Sequence, residues 1–440
     1  MTGGRVAGTR TAGEGAETLL SIEEALERIL AGAIALPGET VFVEQAAGRA
    51  LVRAPIARVT LPPWDNTAMD GFAVRSADVA GAVPGTPVTL RVTGEVAAGH
   101  APATGVAAGE AMRITTGAMI PPGADAVVPV EDTDADPGAA VLPATVSILQ
   151  PVAAGEHLRR AGDDLAAGMP LLAPGRVVGP AALALLTAAG VETVEVHARP
   201  RVAVVATGDE LVPPGQPLGP AQIHDSNSGS LALQAKAAGA EVRNCGIAPD
   251  DLEALLSLLR DAASGADVVL VSGGVSVGAH DLVKRAFGVL GSVDFWRVAV
   301  QPGKPLAFGR VPRGDGRRGD VALFGLPGNP VSAFVTFELF VRPLLRRLGG
   351  RGDGQGRQVV RAILAEPVAK SPPRRAFLRV SLEAGDGPAA LPRARLAGGQ
   401  GSHVLSSLAA AAGLAVIPEG VPGLPAGAGV DVLLLDDEGA

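Results

Sequence analysis

The chain has one cysteine, Cys245, no tyrosine and only two tryptophans among its 440 residues. A single thiol excludes an intramolecular disulfide and any cysteine-built metal cluster. The histidines, at 100, 157, 197, 224, 280 and 403, show no close ligand spacing, so a histidine-rich metal site is not expected either. The net charge of −8 repels phosphate backbones on average. Nucleic acid is therefore not an expected partner, although a local basic pocket for a small anion is compatible with that charge. The first 17 residues lack the apolar core of a signal peptide, and stretches such as Ala181–Ala189 fall well short of a membrane span. A cytoplasmic protein without a membrane partner is the expectation.

Glycine and proline are plentiful, at 59 and 36 residues, beside an apolar share of 47%. The mix suggests several small domains joined by tight turns. Ser21-Ile22-Glu23-Glu24 reads as a capping box opening a helix to about Leu30. Short apolar runs such as Val88–Val92 and Ala126–Val130 then alternate with Gly, Pro and Asp turns, predicting a β-rich domain over residues 52–150. That domain is inserted between two pieces of a helical linking domain, 18–51 and 151–180.

Strand–loop–helix alternation follows over 181–348. Strands are expected at Arg201–Val205, Glu241–Gly246, Asp267–Val271 and Val321–Phe324, with helices at about Ser228–Ala238, after Asp250 and after Pro330. Alternation on this scale predicts a doubly wound, mainly parallel sheet with helices on both faces. Arg347–Arg357 is a Gly-rich break, and residues 356–437 read as a small C-terminal β domain. The fold class is therefore multidomain, α/β and β.

In an open parallel sheet the loops at the C-terminal strand ends form the ligand crevice. Three loops fall there: Thr207-Gly208-Asp209-Glu210, Ser272-Gly273-Gly274-Val275-Ser276-Val277-Gly278, and Leu326-Pro327-Gly328-Asn329-Pro330. Glycine lets a backbone approach a ligand closely, and successive N–H groups at a helix start cradle an anion. Glu210, Asp250 and Asp281 lie near the same loops; Asp250 also reads as a plain helix cap. Carboxylates facing a phosphate-binding loop repel the ligand unless a hard cation bridges them, and magnesium is the natural candidate. Lys304, in a Pro-Gly-Lys-Pro turn after Arg297, offers positive charge. In the β-rich part, Asp70-Gly71 is either a site or a plain hairpin turn. Residues alone point to a multidomain protein binding a phosphorylated small molecule with a divalent cation.

Taken together, DNTAMDGFAVR, RITTGAMIPPGADAVV, RRAGDD, ATGDEL, VSGGVSVGAHD, QPGKP, GLPGNPVSAF and GSHVLSS closely resemble the molybdopterin molybdenumtransferase family, which includes bacterial MoeA and the E domain of gephyrin. The resemblance runs from about Ser21 to Leu435. It implies a molybdopterin-binding-type sheet domain in an elongated homodimer, with the active site where one subunit's β-rich domain faces the other's sheet. The implied reaction takes adenylylated molybdopterin and molybdate, releases AMP and leaves molybdenum on the dithiolene, the last general step of cofactor assembly. An adenylyltransferase or a recipient molybdoenzyme is a possible protein partner.

Residue by residue, the resemblance implies catalytic positions at Asp70, Thr116, Asp164, Glu210, Asp250 and Asp281, with Glu210, Asp250 and Asp281 positioning magnesium. It implies substrate binding by Thr207, Gly208, Ser272, Gly273, Gly274, Ser276, Arg297, Lys304, Pro327, Gly328, Asn329, Pro330, Arg379 and Ser402, with Arg379 pairing with an oxyanion. The chain departs from many relatives in carrying Arg297 and Gln301 where they carry lysines, so Gln301 removes a charge. Two rival readings share the fold: a molybdopterin adenylyltransferase consuming ATP, and a non-catalytic scaffold.

Overall fold

The computed structural model describes residues 19–274, 282–313, 319–351, 356–385, 387 and 390–435. In the central domain we number β1 (Arg201–Thr207), α1 (Asn227–Ala237), β2 (Glu241–Ala248), α2 (Leu252–Ala263), β3 (Val268–Ser272), α3 (Leu282–Leu290), β4 (Ser292–Arg297), β5 (Pro305–Val311), β6 (Val321–Leu326) and α4 (Pro330–Thr336). The six-stranded sheet has the order β2-β1-β3-β6-β5-β4. Strands β2, β1, β3 and β6 run parallel, while β5 is antiparallel to both of its neighbours.

Period-two alternation explains why β1 is apolar throughout. Val202 and Val204 face one core with Leu231 of α1 and Val331 of α4; Ala203 and Val205 face another with Leu255 of α2 and Val283 of α3. A strand covered on both sides reads as a continuous apolar run. The mainly parallel, doubly wound sheet is thus as expected.

The β-rich domain is a five-stranded sheet in the order Ala126–Pro129, Gly71–Val74, Glu110–Ile114, Val88–Val96, Thr145–Ile148. The C-terminal domain closes into a barrel: Arg375–Glu383 pairs with both Arg393–Leu396 and Gly413–Ile417, and Val359–Leu364 and Gly429–Leu434 complete the ring. Closure removes the free edges of a small sheet.

The capping box at Ser21 forms, with Glu24 N–H donating to Ser21 Oγ at 3.1 Å. The helix Ile22–Leu30 packs Ile22, Ala25 and Ile29 against the core of the central domain, as Phe377 and Leu414 of the barrel also do. One domain boundary differs from the expectation. The helix Pro180–Ala188 and strand Thr193–His197 leave the central domain. Thr193–His197 pairs with Gly38–Phe42, and Leu186 and Val194 share a core with Val43 and Leu51. The apolar faces of these segments decide the division, and the central domain begins near Arg201. Among the described residues no helix is long and apolar enough to cross a membrane.

Candidate functional site

Strand direction assembles the site. The C-terminal ends of β1, β2, β3 and β6 deliver Thr207, Asp250, Ser272 and Leu326 to one edge of the sheet. Because β5 is antiparallel to β6, its beginning, Lys304-Pro305, comes to that same edge, and Arg297 at the end of β4 pairs opposite Pro305. The order therefore places carboxylates on the β2–β1 flank, glycine loops in the middle on β3 and β6, and cations on the β5–β4 flank. With neighbouring strands about 4.8 Å apart, β1 and β5 are separated by about 14 Å.

The glycine loops touch. A Cβ on Gly273 would lie 2.3 Å from the Thr207 carbonyl oxygen, and one on Gly328 would lie 3.7 Å from Gly273 Cα. Gly273 (φ 96°) and Gly274 (φ 65°) adopt left-handed backbone that other residues rarely accept. Only glycine lets the β3 loop pass so close to β1.

On the acidic flank, Thr207 Oγ1 donates to Asp250 Oδ1 at 3.4 Å, and Asp250 N–H donates to Asp209 Oδ1 at 3.0 Å. The helix-cap reading of Asp250 is corrected: Asp251 caps α2, its carboxylate accepting from Ala254 N–H at 2.9 Å. The Asp250 side chain is thereby left at the strand edge. Glu210 is exposed and folds back over Gly208, where a Cβ would meet its Oε2 at 2.5 Å. Asp281 and Ser276 lie outside the described residues. Among the described residues no three His, Cys, Asp or Glu side chains gather as a metal cluster.

On the basic flank Lys304 is exposed, while the Gly303 beside it packs on α4, a Cβ there falling 2.5 Å from Thr336 Cγ2. The short strand Val300–Gln301 pairs with Arg375–Ala376, tying this turn to the C-terminal barrel. Ser402 reaches the same region through its carbonyl oxygen, which accepts from Val331 N–H at the start of α4 at 3.1 Å. Pro330 occupies the first turn of α4, as expected.

Arg379 lies on the barrel strand Arg375–Glu383. Its side chain is completely buried, on the strand face it shares with Phe377, which packs on the central domain, and opposite Leu378, which faces the barrel core. It donates to Ser407 Oγ at 3.0 Å and to the carbonyl oxygens of Gly399 at 2.7 Å and Gly401 at 3.1 Å. Burial pushes its pKa down. Its Nε and Nη2 thus hold the 399–402 loop, and with it Ser402, while Nη1 is buried without a hydrogen-bond partner among the described residues.

Asp70 and Thr116 sit together in the β-rich domain. Asp70 Oδ1 accepts from Thr116 N–H at 2.6 Å and from Thr116 Oγ1 at 2.9 Å, and the backbone donor foremost holds the carboxyl below its ordinary pKa. They border a cavity of about 680 Å³ lined entirely by residues between Ala68 and Thr145. Within one chain this cavity is separate from the sheet edge. Asp164 is exposed in a turn after the Asp65–Arg160 ion pair, with its N–H donating to the Leu61 carbonyl at 3.1 Å.

Sequence reasoning missed Asn227, which is buried and joins the β3 and β6 loops through Ser272 Oγ and Gly328 O, each at 2.8 Å. The available signal is the polar run Asp225-Ser226-Asn227-Ser228 ahead of an apolar helix, which reads equally as an ordinary helix start.

Three family models match the chain in succession: the MoeA N-terminal region (domain I and II) over residues 20–190, a molybdopterin binding domain over 203–347, and the MoeA C-terminal region (domain IV) over 361–435. Molybdopterin molybdenumtransferase 2 of Mycobacterium tuberculosis is 41% identical over 404 residues, covering 89% of this chain and 94% of that protein. The chain belongs to the molybdopterin molybdenumtransferase family. Molybdopterin molybdenumtransferase 1 of the same species is 36% identical over 436 residues, covering 95% of this chain and all of its relative. Among solved structures, a molybdopterin biosynthesis MoeA protein of Pyrococcus horikoshii OT3 superposes with a TM-score of 0.76 at 29% identity, covering 95% of this chain and 100% of that one. Membership in the molybdenumtransferase family makes the chain an enzyme, and the boundary of its molybdopterin-binding domain at 203 agrees with β1 as that domain's first strand.

Proposed function

We propose that this enzyme inserts molybdate into adenylylated molybdopterin with release of AMP, acting in the cytoplasm as a homodimer whose sites are each completed by the partner's β-rich domain. The observation that carries the reading is the division of charge along one sheet edge, with Glu210 and Asp250 on one side of two touching glycine loops and Arg297 and Lys304 on the other. The elongated substrate spans several strands, so one end of it meets carboxylates and the other meets cations.

The chemistry follows that polarity. Molybdate is a dianion and needs cationic or N–H donors, and Lys304 and Arg297 supply positive charge at this edge. The glycine loops let backbone approach the substrate, and the exposed carboxylates of Glu210 and Asp250 flank the phosphates. Those acidic oxygens suit magnesium, which Glu210, Asp250 and Asp281 would hold; when bound it neutralises charge on the phosphates. The protein then needs no nucleophile of its own, because positioning and charge stabilisation carry phosphoryl-centre chemistry. Asp70 and Thr116, each bonded to the other, present an ionised carboxylate to the sheet edge of the opposite subunit.

The test is AMP release measured with adenylylated molybdopterin and molybdate supplied separately and together, and with ATP plus molybdopterin as a control. Release only with the first pair together supports the proposal. Consumption of ATP, or release indifferent to molybdate, rejects it.

A further inference from the structure

Asn227 opens α1 with its backbone fixed: Asn227 N–H and Ser228 N–H donate to Asp225 Oδ1 at 3.1 and 3.0 Å. Its side-chain nitrogen lies 2.8 Å from both Gly328 O and Ser272 Oγ. A carbonyl oxygen only accepts, so the atom facing Gly328 must be the amide nitrogen, which settles the orientation of the group. The second hydrogen on that nitrogen is then directed to Ser272 and occupies a lone pair of its hydroxyl. Ser272 is therefore the acceptor in this bond and keeps its own proton to give. Ser272 is 2% exposed, and among the described residues no acceptor takes that proton. A buried hydroxyl proton calls for an acceptor, and here it stands at the tip of β3, between two glycine loops in contact.

We infer that Asn227 is a positioning residue that holds the β3 and β6 loops at their spacing and makes Ser272 a hydrogen-bond donor to the phosphorylated pterin substrate. The identity of that substrate rests on the proposed reaction. The spacing of the loops does not.

Asn227→Asp tests both halves. The carboxylate keeps the shape, cannot donate to Gly328 O, and draws the Ser272 proton inward. The expected result is a rise in KM for adenylylated molybdopterin of roughly 10- to 100-fold in Asn227→Asp and in Ser272→Ala, with KM for molybdate unchanged. The double variant should be no worse than Asn227→Asp alone, because both changes remove the same donated proton. Additive losses, or a lowered melting temperature with unchanged KM, overturn the inference. Should Asn227→Asp fail to fold, an unchanged KM in Ser272→Ala overturns it and a raised one supports it. Amide hydrogen exchange on the ligand-free protein separates this inference from the proposed reaction. Exchange at Gly273 and Gly328 should quicken in Asn227→Asp whatever the substrate proves to be, and unchanged exchange at both overturns the loop-spacing claim. A wild-type enzyme that releases no AMP rejects the reaction instead.

Discussion

The carboxylate of Asp70 accepts two hydrogen bonds from one residue, Thr116, through its backbone N–H at 2.6 Å and its hydroxyl at 2.9 Å. Two donors on one oxygen favour the ionised form, so the folded-state pKa lies below the ordinary value of 3.8. A depressed carboxyl pKa stabilises the fold above the unfolded pKa, and that contribution is lost as pH falls through the folded value. AMP release should therefore show no titration of Asp70 between about pH 5 and 8. Asp70→Ala should lower turnover tenfold or more while moving the melting temperature by less than about 2 °C, since the group is exposed. Activity profiles and thermal melts check both.

Arg379 makes the opposite prediction. Replacing it with alanine leaves the carbonyls of Gly399 and Gly401 and the hydroxyl of Ser407 without their buried donor. A loss of about 2–4 kcal/mol is expected in urea melts. KM for molybdate should not change in the folded fraction, whereas an oxyanion ligand would raise it selectively.

A buried ion network secures the barrel. Glu338 accepts from Arg357 Nε at 2.7 Å and from Gln234 Nε2 at 2.6 Å, and Arg357 also donates to the Leu435 carbonyl at 2.7 Å. Glu338 is 3% exposed, so Glu338→Ala uncovers buried cations and should cost about 3–5 kcal/mol, with Glu338→Gln costing less. Denaturant titration of the two variants gives the comparison.

The carboxylates of the β2–β1 flank predict a metal requirement. Activity should vanish on exhaustive dialysis against a chelator and return with magnesium. Glu210→Gln and Asp250→Asn should each raise the half-saturating magnesium concentration about tenfold or more. Equal magnesium dependence in both variants and wild type would remove these side chains from that role.

Much of this arrangement is readable before any coordinates. Val202–Val205 announces a strand covered on both faces, and each glycine loop follows such a strand. What escapes is whatever depends on distant partners. Arg379 lies mid-strand, and the carbonyls it holds come from Gly399 and Gly401 after a further strand. Between Asp250 and Asp251 only backbone geometry chooses the cap: Asp251 has the extended conformation (φ −124°) and the bond to Ala254. The helix Pro180–Ala188 looks like the start of the sheet domain until its apolar face is seen against Val43 and Leu51.

The central claim is that a working site combines one subunit's sheet edge with the other's Asp70, and mixed dimers test it most directly. Chains carrying Asp70→Ala and chains carrying Glu210→Gln, assayed at a magnesium concentration low enough to leave the second nearly inactive alone, should regain about a quarter of wild-type AMP release after random reassortment, because half of the dimers are then mixed and each holds one intact site. No recovery, with mixed dimers demonstrated by differential tagging, would contradict a site shared between subunits.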